Sequence, residues 1–265
     1  MISLLKILKS EKAKGVYNIS DGRTITINLA KLTIGPRIIV LAGTVGSGKS
    51  THMKVLALRL KKGGLRVKTA FLKSGHLLAY LLTIFLVRVL LRRQKNVYPI
   101  RALIEEKPYI FGKIFNLWLV FDVLGICIRF LLTIYLPLKM GYIILVEEYL
   151  PATIADYIYL AEATGLSQRK VHSAISFLQR LLYLGGPIYT IFFDAPTLVL
   201  ENRWKFRKTP SEAISYLRMQ RTLLLSISKR LSSSFIYIRT DGNIKEIHEF
   251  IISYLTGHET VEVTR

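Results

Sequence analysis

The sequence predicts an α/β fold in which a five-stranded parallel sheet carries helices on both faces, behind an N-terminal helix and hairpin extension. Three observations predict it. Five short β-like runs are separated mostly by helical stretches. The first four runs are near-continuously apolar, as parallel strands covered on both faces must be. Strand alternating with helix implies right-handed crossovers and a doubly wound sheet.

The extension comes first. Met1–Lys14 places Ile2, Leu5 and Leu8 at helical spacing but lacks the long apolar run and cleavage site of a secretory signal. It reads as a helix packed on the domain or resting on a membrane surface. Val16–Leu29 reads as a β-hairpin turning at Asp21-Gly22, and Gly35-Pro36 marks a boundary. Residues 1–35 are then the extension, 36–257 the main domain, and 258–265 a frayed tail. The strands are Arg37–Ala42, Arg66–Leu72, Tyr142–Val146, Ile188–Asp194 and Phe235–Arg239. Between them lie Lys49–Lys62, two apolar helices, Thr153–Leu184 and Ser211–Leu231, and Asn243–Leu255 follows the last strand.

Composition narrows the class. In 265 residues, 51% are hydrophobic and 21% charged, enough for a substantial core and too apolar for global disorder. Lys and Arg number 38 against 17 Asp and Glu, a formal net charge of +21 that favours polyanionic partners. The lone Cys127 excludes an intramolecular disulfide and suits a reducing cytosol. The mean hydropathy of +0.36 comes from two stretches, Leu77–Leu91 and Ile114–Leu138. The first is short for a bilayer span and contains Arg88; the second holds Asp122 and Arg129, costly in lipid. Both are expected to be buried helices, with peripheral membrane contact left open. Asp122 and Arg129, seven apart, share a helical face and would look into a cleft.

One motif carries chemistry. Gly43-Thr44-Val45-Gly46-Ser47-Gly48-Lys49-Ser50 matches G-x-x-x-x-G-K-[ST], the P-loop, at every fixed position. Glycines let backbone N–H groups turn inward around phosphate oxygens, Lys49 bridges the β- and γ-phosphates, and the Ser50 hydroxyl ligates Mg²⁺. An apolar strand precedes the loop and an amphipathic helix (Met53, Leu56, Leu60) follows it, the context the motif demands. The helix start, with Thr51 in its first turn, adds its positive end to the same anion site. The expected cofactors are ATP and Mg²⁺.

Around this loop the chain resembles the thymidylate kinase-like nucleotide kinases over about residues 36–256. The resemblance rests on LAGTVGSGKSTHMKVLALRLKKGG, YIILVEEYLPATIADY, PIYTIFFDAPTLVLENRWKFRK and FIYIRTDGNIKEIHEFI. It implies a P-loop NTPase fold, phosphoryl transfer from ATP, and a nucleotide acceptor, most simply a nucleoside monophosphate. Glu147 falls at the family's acidic residue and Tyr149 at its aromatic. The chain also departs from the family. Glu148 stands where an arginine usually holds substrate phosphate, Val123 replaces the arginine expected after Asp122, and KSGHLLAYLL lacks the acidic-Pro-Gly-Gly turn. The expectation is therefore intact ATP handling with an altered acceptor pocket.

Four groups complete the candidate site. Glu147, at the carboxyl end of the third strand, faces the crevice where open α/β sheets bind ligands and would hold the Mg²⁺ shell or orient the acceptor. Glu148 would point to the opposite side if the strand continues. Arg203 and Arg207, four apart on one helix, would reach over the loop as a lid. Lys73 and His76 lie just past the second strand, close to a substrate phosphate, and join Asp122 and Arg129 as substrate candidates. Asp194 reads as scaffold.

Leu160–Leu182 has the look of a helix-turn-helix, with Arg169, Lys170 and His172 opening its second helix. It occupies a crossover where a helical connection is required anyway, so a nucleic-acid partner is not expected. A homodimer stays open. Two rivals stay open too: an ATP-binding protein without transfer, and a kinase at a membrane surface acting on an apolar acceptor, motivated by the apolar helices and the basic runs Arg88–Arg101 and Arg203–Lys208.

Overall fold

The computed structural model describes residues 14–18, 24–28, 37–91, 99–166, 169–207 and 214–256; of 14–18, 24–28, 91, 170, 207 and 256 it describes the backbone alone. The expected N-terminal helix, the Asp21-Gly22 turn, the Gly35-Pro36 boundary and the C-terminal tail lie outside the described residues.

In chain order the strands are β1 (Lys14–Asn18), β2 (Thr24–Asn28), β3 (Ile38–Gly43), β4 (Val67–Leu72), β5 (Ile143–Glu148), β6 (Ile188–Asp194) and β7 (Ser234–Arg239). The helices are α1 (Lys49–Lys62), α2 (Leu77–Leu86), α3 (Pro99–Glu106), α4 (Pro108–Phe130), α5 (Leu136–Lys139), α6 (Leu150–Ala163), α7 (Arg169–Gly185), α8 (Thr197–Arg207), α9 (Ile214–Met219), α10 (Leu225–Leu231) and α11 (Ile244–Thr256). β1 and β2 pair antiparallel, with Asn18 opposite Thr24, as the hairpin reading requires. The other strands form one sheet in the order β4-β5-β3-β6-β7, every pairing parallel.

Burial on both faces explains the apolar runs. Along β3, Ile38, Val40 and Ala42 enter one core while Ile39 and Leu41 enter the other. Leu56 and Leu60 of α1 and Ile247, Ile251 and Leu255 of α11 cover the second face. The remaining helices, from α2 to α7 with α9 and α10, build the larger core on the first. β5 runs two residues beyond the expected Val146, and its last residues, Glu147 and Glu148, lie beside Phe71 and Leu72 of β4. The helical stretch expected over Thr153–Leu184 is two helices, α6 and α7, inside the β5–β6 crossover, as the two-helix look of Leu160–Leu182 suggested.

The apolar stretches are buried on one face only, which corrects the expectation of buried helices. α2 buries Ala79 and Thr83, and its outer Leu81 and Phe85 are each 62% exposed. α4 buries Phe111, Phe115, Trp118, Asp122 and Ile126, yet turns Leu117, Val120, Leu124 and Ile128 outward at helical spacing. The run Pro108–Lys139, 32 residues long, is long and apolar enough to cross a membrane by length and composition. Its charges nonetheless serve the domain. Asp122 accepts from the backbone N–H of Gly75 (2.7 Å) and His76 (3.2 Å), and Arg129 donates to the Phe71 carbonyl (3.0 Å).

Candidate active site

The loop between β3 and α1 is seated by its neighbours. At Gly43 (φ +136°) a Cβ would lie 1.9 Å from the Phe193 carbonyl oxygen, so only glycine lets β3 run this close to β6 before turning. The Thr44 N–H then donates to that same oxygen (3.1 Å), and the Thr44 hydroxyl donates to Asp194 (2.8 Å). At Gly46 (φ +86°) a Cβ would meet Trp204 Nε1 at 2.5 Å, because α8 presses its indole against the loop. The Val45 N–H donates to Gln220 Oε1 at 2.9 Å. Gly48 caps α1 in the left-handed conformation; its carbonyl accepts from the Thr51 and His52 N–H groups (both 3.0 Å), and the Lys49 and Ser50 amides before them have no acceptor one turn back in the helix. Ser47 Oγ is buried and has no hydrogen-bond partner among the described residues. Such a concave set of donors suits an anion.

Lys49, the loop's ammonium, is folded back. Its Nζ donates to the carbonyls of Gly43 and Thr44, both at 2.9 Å, and pairs with Glu148 Oε1 at 3.1 Å in a buried ion pair. Ser50 Oγ donates to Glu147 Oε1 at 2.8 Å. Both carboxylates of the Glu147-Glu148 pair thus converge on the P-loop, and the expected alternation fails at Glu148. The cause is backbone: φ is +72° at Glu148 and +92° at Tyr149, which turns the strand end over. Two consecutive left-handed residues without glycine cost roughly 1–3 kcal/mol each, a strain the Lys49 pair and the Tyr149 N–H bond to Leu72 O (2.7 Å) offset. Burial pushes the Glu148 carboxyl up, but the ammonium groups of Lys49 and Lys73 more than reverse this and hold it below the usual carboxylate range.

Two cavities flank the loop. One, of about 530 Å³, is lined by Ser47, Gly48 and Thr51 of the loop and α1, by Asn202 and Arg203 of α8, and by Thr240 and Gly242 after β7. Arg203 ties these walls together, donating to Gly46 O (3.2 Å) and Thr240 Oγ1 (3.1 Å). Arg207 ends α8, but its side chain lies outside the described residues. At the floor, His52 is stacked on Phe193. Burial, with the positive field of His248 and Arg203, lowers its pKa to about 4.

The second cavity, of about 320 Å³, touches the loop at Val45 and lies between β4, α2, α3, α6 and α9. Of the substrate candidates Lys73 lines it; His76, Asp122 and Arg129 do not. Lys73 Nζ donates to Tyr216 OH (2.9 Å), which donates to Asp156 Oδ1 (3.3 Å), and Ser74 Oγ donates to Asp156 Oδ2 (2.7 Å). Burial alone would lower the Lys73 pKa; Tyr216, Asp156 and Glu148 carry it well above the ordinary lysine range. The Arg101 guanidinium lies 3.6 Å from the Tyr216 ring centroid. Asp122 sits behind the cavity, its second oxygen accepting from Tyr157 OH at 2.9 Å, and burial raises its pKa to about 7. His76 is lowered to about 4 by burial and by Arg129 and Lys73.

Sequence reasoning missed Asp156, Tyr216, Gln220 and Arg221. Arg221 donates to Asp194 at 3.1 Å, and Tyr237 donates to the same carboxylate at 3.0 Å, so Asp194 gathers the loop, α9's continuation and β7 into one network. Asp156 lies inside the quoted segment YIILVEEYLPATIADY without a role assigned to it, whereas Tyr216, Gln220 and Arg221 reach the site from a segment that no motif marks.

No family model matches the chain, and no curated protein matches it. Among solved structures it is similar to thymidylate kinase from Ehrlichia chaffeensis, at 19% identity and a TM-score of 0.45, with 82% of this chain and 97% of that one covered. It is also similar to deoxyadenosine kinase from M. mycoides, solved with bound dCTP, at 16% identity and a TM-score of 0.51, with 83% and 99% covered. With the sheet order, the second likeness gives the architecture: the chain has the P-loop nucleotide-kinase fold, a five-stranded parallel sheet covered by helices, at low sequence identity.

Proposed function

We propose that the chain transfers the γ-phosphoryl group of ATP to an acceptor held in the cavity beside Lys73. The observation that carries this reading is the position of the P-loop between two cavities, with Lys49 and two carboxylates at the junction. Phosphoryl transfer asks the protein chiefly for alignment and positive charge around the moving group, which this junction supplies. In this reading the larger cavity takes the nucleoside of ATP, Arg203 and Arg207 serve as the lid, and Lys49 leaves its carbonyls and Glu148 for the β- and γ-phosphates.

Ser50 Oγ and the Glu147 carboxylate, already 2.8 Å apart, are the hard oxygen donors that would hold Mg²⁺. Mg²⁺ characteristically takes one or two protein oxygens and completes its shell with phosphate and water, so the pair fits the ion. Held there, the metal would supply charge neutralisation on the phosphates. The sequence resemblance implies a nucleoside monophosphate as acceptor.

The test is transfer of labelled γ-phosphate by the wild type and by Lys49→Ala. Loss of transfer in the variant is expected; full activity in Lys49→Ala rejects the assignment.

A second reading rests on the outward apolar faces of α2 and α4. It puts the same chemistry at the cytoplasmic face of a membrane, with an apolar acceptor. The +21 charge would draw the chain to anionic headgroups.

A further inference from the structure

The acceptor side of the junction is unusual in its charge. Asp156 faces the cavity beside two cations, Lys73 and Arg101, and Glu148 lies close enough to Lys73 to act on its charge without lining the cavity itself. Lys73 is engaged by Tyr216 and held by the field of both acids, and Arg101 lies on the same tyrosine ring. Both cations among the described lining residues are thus engaged by protein groups before any acceptor enters. Most of its remaining lining is aromatic or aliphatic, with Phe71, Tyr80, Ile100 and Tyr159 prominent beside the hydroxyls of Ser74 and Thr83.

Glu148 is the decisive group. It is 4% exposed, its backbone is bent over to aim the carboxylate at the P-loop, and it lies opposite Leu72, one residue from Lys73. Oε1 holds Lys49, while Oε2 is buried with no hydrogen-bond partner among the described residues. When Lys49 turns to the phosphates of ATP, Glu148 is left as an acceptor-only anion beside the γ-phosphate. A phosphate dianion brought into that space meets like charge. A hydroxyl meets the hydrogen-bond acceptor it needs.

Building on the phosphoryl-transfer reading above, we propose that the acceptor is an uncharged alcohol with an apolar or aromatic body, whose hydroxyl donates to Glu148. The acceptor oxygen forms a bond to the γ-phosphorus, and the bond from that phosphorus to the β–γ bridging oxygen breaks. ADP leaves with the bond's electron pair, and the hydroxyl proton passes to Glu148 and then to water. A carboxylate of low basicity suffices, because the transition state is loose and the proton leaves late. Glu148 thereby both selects a phosphate-free acceptor and receives its proton.

The test uses the full chain with labelled MgATP and five acceptors: thymidine, deoxyadenosine, their 5′-monophosphates, and farnesol in detergent micelles. Label is expected on an uncharged alcohol with a kcat/KM about 100-fold above that for the monophosphates. The nucleoside and farnesol arms decide between a nucleoside and a lipid-like alcohol. Glu148→Gln keeps shape and removes charge. It should slow alcohol transfer about 100-fold and tighten monophosphate binding about 10-fold, with folding checked by its melting temperature. Wild-type preference for a monophosphate overturns the inference and leaves the transfer reading standing; so does monophosphate binding, measured calorimetrically on the wild type, that is tighter than alcohol binding. Transfer to none of the five, with MgATP bound, overturns both.

Discussion

His52 Nδ1 lies 3.2 Å from His248 Nε2, so two buried imidazoles share one hydrogen bond under the cavity beside the P-loop. One ring must be a neutral acceptor for that bond to exist. Burial lowers both rings, and His52 falls to about 4 from an ordinary 6.5. With the folded value below the unfolded one, the unfolded chain binds more protons between the two. The stability tied to neutral His52 is therefore complete above pH 6.5 and is lost as pH falls toward 4. Melting temperatures should drop from pH 7 to pH 5, and His52→Phe, which keeps an aromatic ring on Phe193, should flatten that drop. An identical acid limb in the variant would contradict the assignment.

The Lys49–Glu148 pair predicts a non-additive stability cycle. Lys49→Ala strands a buried carboxylate and should cost on the order of 3 kcal/mol, a fall of roughly 6–12 °C in melting temperature. Lys49→Ala with Glu148→Gln should recover most of that loss while transfer stays absent. A double variant no more stable than Lys49→Ala would show that the pair does not hold the loop.

Gly46→Ala should act through α8. The new methyl must displace the Trp204 indole from a position 2.5 Å away and adopt φ near +86°, at a cost of roughly 1–3 kcal/mol. Trp204 emission should shift to the red and affinity for ATP should fall. Unchanged tryptophan emission would mean that α8 is not seated on the loop.

The outward leucines of α2 and α4 predict behaviour in the presence of lipid. The wild type should float with anionic vesicles at low salt, and the joint change Leu81→Ser, Leu124→Ser, Ile128→Ser should reduce that flotation several-fold without altering transfer to a water-soluble acceptor. Flotation unaffected by the change would remove the membrane-surface reading. Sedimentation of both proteins without lipid would show whether the same face joins two copies of the chain.

Much of the fold was legible because it is written locally. The apolar runs of β3 and β6 can only be strands buried twice, and the P-loop announces the turn between β3 and α1. The site was legible only where one segment carries it. Tyr216 lies 143 residues from Lys73, which donates to it, and no periodicity brings them together. The direction of Glu148 was hidden for a different reason: two successive positive φ values at a Glu and a Tyr are imposed by tertiary contacts, against the preference of both residues. The apolar helices misled because hydropathy counts all sides of a helix, whereas α4 packs only one.

The close approach of Gly43 to β6 has a mechanical consequence. The entry half of the P-loop is continuous with the sheet, fastened to Phe193 and Asp194, and it has no slack to give. The exit half leans on α8 through Trp204 and Arg203. In the phosphoryl-transfer reading, an arriving triphosphate would meet a loop fastened to the sheet by backbone on one side and held to α8 by side-chain contacts on the other.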